Sequence, residues 1–276
     1  VILIGSLVFY GMSGVLPLFL LISTVVVVYL SVKYLSENYR SAGLVVTLLY
    51  PFGILFLFKY LGFGLRVFGV SIEHHSPLNI FLLNVLPACI SFYTFQVSSY
   101  IIDVAKKNTR KQDSLIQLGA YITFFPQLIA GPILRYQQLG TQLEKLHSIS
   151  FRHVRFLDGM FYISVGLAYK VFFSDVLYTF HEVARLLPRK SSLDALYEIV
   201  SYSSIIYFDF WGYSLMAIGL ALLFGIEVPR NFREPYRSRS PKEFWRRWHV
   251  TLSYWLKDYV YLSLGGNNKY IRNILI

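Results

Sequence analysis

Phe208-Asp209-Phe210-Trp211-Gly212-Tyr213-Ser214 lies within residues 199–226, a run in which Asp209 is the only charged side chain. Such a run, at about 1.5 Å per helical residue, exceeds the roughly 30 Å of a bilayer's hydrocarbon core. A lone carboxylate at that depth costs at least a few kcal/mol unless it is paired, hydrated or protonated. Asp209 is therefore expected either to bond a neighbouring helix or a cation, or to take part in proton transfer. Gly212, Ser214, Ala217 and Gly219 give the same helix a small-residue surface that permits close packing.

Working outward, residues 1–32, 41–58, 76–102 and 114–134 carry no charge at all, and 156–187 is an apolar stretch interrupted by Asp158, Lys170 and Asp175, with His181 and Glu182 marking its polar end. Five or more spans are expected, with 156–187 as a further one. Lipid offers backbone amides no partner, and these runs lack the alternation of a transmembrane barrel. The fold class is accordingly all-α: a polytopic transmembrane helical bundle, read as one domain over 1–276. A chain of 276 residues with 55% apolar, 18% aromatic and 15% charged residues agrees with that. Its mean hydropathy of +0.50 points the same way.

The net charge of +11 comes in short Lys/Arg clusters between apolar runs. That is a topology signal, not a nucleic-acid stripe, and it puts the loops at 103–113 and 227–247 in the cytoplasm. One cysteine, Cys89, excludes an internal disulfide and a thiolate metal cluster. His74 and His75 point about 100° apart on a helix and read as a solvated loop, so no metal site is expected. His147 and His153 belong to a polar stretch, 136–155, that suits an interfacial helix. Lys170 and Asp175 stand about 140° apart round an α-helix, where pairing depends on side-chain reach. The chain opens at Val1 inside an apolar run and closes just as another begins, and it is expected to be incomplete at both termini.

Two segments look broken. Pro87 precedes Ser91, Thr94 and Gln96, which are polar groups at membrane depth, and Phe124-Phe125-Pro126-Gln127-Leu128-Ile129-Ala130-Gly131-Pro132 puts two prolines and a glycine into a would-be span. Interrupted backbone and polar side chains are tolerated there only against protein or a water-filled cavity. A re-entrant segment lining a polar cavity with Gln96 and Asp209 is the expectation.

Beyond residue 226 comes a loop with Arg230, Arg233, Arg237, Arg239 and Lys242, then Glu243-Phe244-Trp245-Arg246-Arg247-Trp248-His249-Val250-Thr251-Leu252-Ser253. The cations suit anionic headgroups or the phosphates of a cofactor such as coenzyme A. On a continuous amphipathic helix His249 would share a face with Trp245, and Ser253 would follow four residues on. Such a histidine reads either as an interfacial residue or as an acid/base group.

This string, with Leu264-Gly265-Gly266-Asn267 after it and the Thr94-Phe95-Gln96 and Pro126-Gln127-Leu128-Ile129-Ala130-Gly131-Pro132 motifs before it, resembles the membrane-bound O-acyltransferase family. Within the family it is most similar to the alginate O-acetyltransferase branch. The resemblance implies that His249 is the first of two functional histidines. The second would follow the Leu-Gly-Gly-Asn turn and has no counterpart before Ile276. Asp209, Gln96, Ser253 and Trp245 are the expected supporting residues, and Arg237, Arg239, Arg246 and Arg247 the expected donor contacts. It further implies acetyl-CoA as donor substrate, with no bound cofactor, and an extracytoplasmic polysaccharide as acceptor. A periplasmic acetyltransferase or polysaccharide synthase components, together with membrane lipids, are the implied partners, in a bacterial inner membrane. A teichoic-acid D-alanyl transferase of the same family, a transporter and a non-catalytic scaffold are the rival readings.

Overall fold

The computed structural model describes residues 1–34, 40–69, 87, 89–146, 154–186 and 191–266. His74, His75, His147, His153 and Asn267 lie outside these. Among the described residues every regular element is helical. Four helices among the described residues are long and apolar enough to cross a membrane: Val15–Lys33, Gly43–Leu65, Phe156–Leu186 and Ser192–Leu223.

The charge-free run at 1–32 is not one rod. Helix Ile2–Gly11 ends in a turn at Gly14, whose φ of +121° is open to glycine alone, and Val15–Tyr34 starts afresh. The run at 114–134 does not cross as a straight helix either. Ser114 caps helix Leu115–Thr123 by accepting from the Gln117 amide, and Phe124 then leaves helical geometry. A single turn, Phe125–Leu128, follows with Pro126 near its start, where a missing N–H costs nothing. Near Pro87 the chain breaks at Cys89, in left-handed geometry, and helix Ile90–Ala105 begins immediately after.

The chain forms two compact units interleaved in sequence: Val1–Ile129, Ile133–His147 and Trp255–Ile276 in the first, Ala130–Pro132 and Ser148–Tyr254 in the second. The first has a core of fully buried Tyr93, Tyr100, Tyr121, Phe124, Leu118 and Ile122. Several polar groups inside it bond one another, while Tyr93 Oη, Thr94 Oγ1 and Gln127 Oε1 are buried without a partner among the described residues. Gln96 donates to the Tyr121 carbonyl at 2.7 Å and accepts from Gln127 at 2.7 Å, and the Tyr121 hydroxyl donates to the Leu134 carbonyl at 2.9 Å. Residues 255–263 join this core through the Trp255 indole on the Phe95 carbonyl (2.8 Å), Tyr259 on Asp103 (2.6 Å) and an Arg135–Asp258 ion pair.

The second unit is built on a helical hairpin. Phe156–Leu186 and Ser192–Leu223 run antiparallel, since Gly159 meets Gly219 and Gly166 meets Gly212. A Cβ on Gly212 would stand 2.7 Å from the Gly166 carbonyl oxygen, and one on Gly219 would stand 2.5 Å from that of Gly159. The backbones thus touch where the seven-residue glycine spacing recurs on both helices. This is the close approach anticipated from the small residues of 212–219.

Candidate active site

The second unit holds both polar residues that the sequence isolates. Asp209, on Ser192–Leu223, accepts an ion pair from Lys170 Nζ at 2.7 Å, and the same ammonium meets Asp175 at 2.7 Å. Lys170 and Asp175 lie in a π-helical stretch, Tyr169–Asp175. Wider i→i+5 turns carry residues five apart onto one face, which is why a pair at odds with α-helical spacing forms here. Tyr169, Phe173, Phe208 and Trp211 pack their rings around this crossing, with centroids 4.7–5.7 Å apart.

The site around His249 is made by a helix that stops and restarts. Ser240 caps Pro241–Arg247 by accepting from the Glu243 amide at 3.2 Å. Glu243 in turn accepts from the Arg239 amide (2.9 Å) and from Arg247 (2.8 Å), which hold its carboxyl below the usual carboxylate range. The helix ends at Trp248 and a new one, Val250–Trp255, begins two residues later. Between them His249 takes φ +40°. The continuous helix expected from the string is therefore absent, and His249 does not share a helical face with Trp245. Nothing in Trp-His-Val breaks a helix by composition; the break is held from elsewhere.

Three contacts hold it. The Asn231 carbonyl accepts from the Val250 amide at 2.8 Å, and the Asn231 side-chain oxygen accepts from the Thr251 hydroxyl at 2.6 Å. The Arg233 amide donates to the Arg247 carbonyl at 3.0 Å. Ser253 is used within the break, its hydroxyl donating to the Trp245 carbonyl at 2.9 Å while the Trp245 ring remains exposed. His249 Nδ1 accepts from the Leu252 amide at 3.4 Å, so the imidazole caps the helix it precedes.

The His249 ring is 7% exposed and stands edge-to-face on Phe210, centroids 4.7 Å apart. Phe232 packs against Phe210 at 5.1 Å and Trp248 at 5.0 Å, closing an aromatic wall. Burial pushes the imidazole down from 6.5 to about 4. At neutral pH the ring is uncharged and able to take a proton.

The expected donor contacts divide. Arg237 is engaged by Glu234 at 2.7 Å and Arg247 by Glu243, whereas the side chains of Arg239 and Arg246 lie exposed. Gln96 belongs to the first unit and serves the amide network there. Among the described residues no group of three or more His, Cys, Asp or Glu could hold a metal ion. Asn231 was missed in the sequence, because its partners stand 19 and 20 residues on and nothing local marks them.

Residues 103–276 match the family model described as MBOAT, membrane-bound O-acyltransferase family. The probable alginate O-acetylase of Pseudomonas aeruginosa is 40% identical over 234 residues, which cover 84% of this chain and 44% of that protein. The peptidoglycan O-acetyltransferase of Helicobacter pylori is 32% identical over 295 residues, covering 96% of this chain and 55% of that protein. A teichoic acid D-alanyltransferase of Bacillus subtilis is 31% identical over 204 residues, or 72% and 51%. The chain spans about half the length of the curated relatives it matches.

Proposed function

The chain belongs to the membrane-bound O-acyltransferase family, and from that premise we propose that it serves in transferring an acetyl group from cytoplasmic acetyl-CoA toward an extracytoplasmic polysaccharide or a partner transferase. His249 is the acid/base group. The observation that carries this reading is a neutral imidazole, buried against Phe210 at a helix break that a second loop holds in place. In the step, an acceptor hydroxyl oxygen attacks the thioester carbonyl carbon as His249 takes the hydroxyl proton. The C–S bond then breaks, the thiolate receives a proton, and an ester and a free thiol remain. A buried imidazole is reluctant to charge, but negative charge developing on the acyl oxygen beside it offsets that reluctance.

Arg239 and Arg246, exposed near this break, are the side chains assigned to the phosphates of the donor, with Arg237 and Arg247 left to hold the loop through their carboxylate partners. The Lys/Arg-rich loops at 103–113 and 227–247 face the cytoplasm, in a bacterial inner membrane. A periplasmic acetyltransferase or polysaccharide synthase components are the proposed partners. The acetyl branch is preferred to D-alanyl transfer because the two O-acetylating relatives cover more of this chain.

The test is transfer of radiolabelled acetyl from acetyl-CoA in membranes carrying the protein, with thiol release followed in parallel. No thiol release or transfer beyond protein-free membranes would overturn the proposal. Activity with a D-alanyl thioester in its place would move the chain to the rival branch.

A further inference from the structure

Asn231 is 1% exposed, and its hydrogen bonds use only its oxygens. The backbone carbonyl takes the Val250 amide and Oδ1 takes the Thr251 hydroxyl, so the two residues directly after His249 are both tied to it. The side-chain amide nitrogen, Nδ2, is buried and has no acceptor among the described residues, a state it shares with only Tyr93 Oη, Thr94 Oγ1, Gln127 Oε1 and Ser214 Oγ there, none of which stands in the loop that clamps His249. A carboxamide offers two N–H donors there, and a buried donor without an acceptor is uncommon enough to need a reason.

A purely structural clamp does not supply one. Two oxygens, the backbone carbonyl and Oδ1, make the bonds to residues 250 and 251, and a side chain ending in oxygen would hold Thr251 without an idle donor. Residue 231 has instead a group whose second half finds no acceptor among the described residues, and the two residues it clamps directly follow a histidine held in left-handed backbone at φ +40°. Phe232, the next residue, completes the wall against Phe210 and Trp248, so the loop that places the donor also shields the imidazole. A rigid neutral N–H in water-poor surroundings is the kind of donor that stabilises charge developing on an oxygen.

We infer that Asn231 Nδ2 donates to the oxygen of the bound acyl group as His249 works on the acceptor hydroxyl, making Asn231 a further catalytic residue of this site. This rests on the acyl-transfer reading above. The ligand it takes is a carbonyl oxygen that becomes anionic when the hydroxyl adds and returns to a carbonyl when the C–S bond breaks. Nδ2 keeps its protons throughout.

Asn231→Asp keeps the shape and the oxygen that holds Thr251 but replaces the donor. Asn231→Leu removes both atoms and serves where the buried acid prevents folding. Thr251→Val cuts the same clamp bond while leaving Nδ2 in place. Kinetics of acetyl transfer and of thiol release are measured for all three in membranes, with monodispersity and thermal unfolding in detergent as checks of fold. Asn231→Asp or Asn231→Leu is expected to lower kcat by roughly 10²-fold with KM for acetyl-CoA changed less than about threefold, as for loss of one oxyanion donor. Thr251→Val is expected to lose less than about fivefold. Equal losses for Thr251→Val and the Asn231 variants would make Asn231 a clamp only and overturn the inference, as would an Asn231 variant that folds and turns over normally. A wild-type protein inactive with every acyl thioester would instead sink the acyl-transfer reading and this inference with it, so the two failures are distinguishable.

Discussion

Asp209 and His249 are the two polar residues that sequence isolates in the second unit, and the fold treats them in opposite ways. Asp209 is answered by a cation at 2.7 Å that also serves Asp175, on an unbroken helix, with its side chain 38% exposed. His249 is almost fully buried on an aromatic face, at a helix break, in backbone geometry that few residues other than glycine adopt. A group whose charge is balanced within its own unit fits a role in holding helices together. A titratable group kept neutral by burial, in a strained position stabilised by a neighbouring loop, fits the acid/base role proposed for it.

The sharpest test of this contrast is His249→Ala, which should lower acetyl transfer by roughly 10²-fold or more, as for loss of an acid/base group, with the fold retained. Near-normal transfer by the folded variant would return His249 to the role of an interfacial residue. Next in size is Gly212→Val. Its Cβ would stand 2.7 Å from the Gly166 backbone oxygen, so the hairpin carrying Asp209 must separate, at a cost of about 1–3 kcal/mol. A thermal unfolding midpoint unchanged from wild type would show that the two backbones do not touch.

A third test uses the proton. The folded His249 value of about 4 lies below the ordinary 6.5, so between these values the unfolded chain binds more protons and stability rises with pH. The contribution is present above about pH 6.5 and is lost as pH falls toward about 4, amounting to about 2 kcal/mol between pH 7 and pH 5. Wild type should therefore lose more stability than His249→Ala over that interval. Parallel curves for the two proteins would mean that the imidazole is not held neutral by burial.

How much of this was legible depended on the range of the interaction. The spans at 15–33, 43–65 and 192–223 follow from charge-free or nearly charge-free runs, because burial in lipid acts on composition alone. Pro126 announced the break in 114–134, since a missing N–H is a local fact. The Lys170–Asp175 pair could not be settled from α-helical angles, because the π-turns that align it are set by packing against the partner helix and carry no signature in Tyr-Lys-Val-Phe-Phe-Ser-Asp. The break at His249 was hidden for a related reason. It is imposed by Asn231 and Arg233 across the loop, and long-range clamps leave no trace in a local string. The family motif therefore picked out His249 from sequence, while the geometry that sets it apart from a surface histidine came only with the fold.

The smallest expected effects come from Asp209, and their order is what matters. Asp209→Asn leaves Lys170 paired with Asp175, so one ion pair of a part-exposed triad is lost, worth about 1 kcal/mol or less. Lys170→Met instead leaves two carboxylates, 209 and 175, without the cation between them, and removing the shared partner of a pair costs more than removing one of two rivals for it. Lys170→Met should accordingly lower the thermal midpoint more than Asp209→Asn, and Asp209→Asn should keep acetyl transfer within about tenfold of wild type. Activity is read in membranes at saturating acetyl-CoA, beside the midpoints in detergent. If Asp209→Asn abolished transfer as thoroughly as His249→Ala while remaining folded, the carboxylate would be a proton-transfer group and the contrast between the two residues would collapse. If both triad variants kept wild-type midpoints, the ammonium would not be what holds the π-helical stretch to its neighbour, and the glycine contacts at 159–219 and 166–212 would be left to account for the hairpin by themselves.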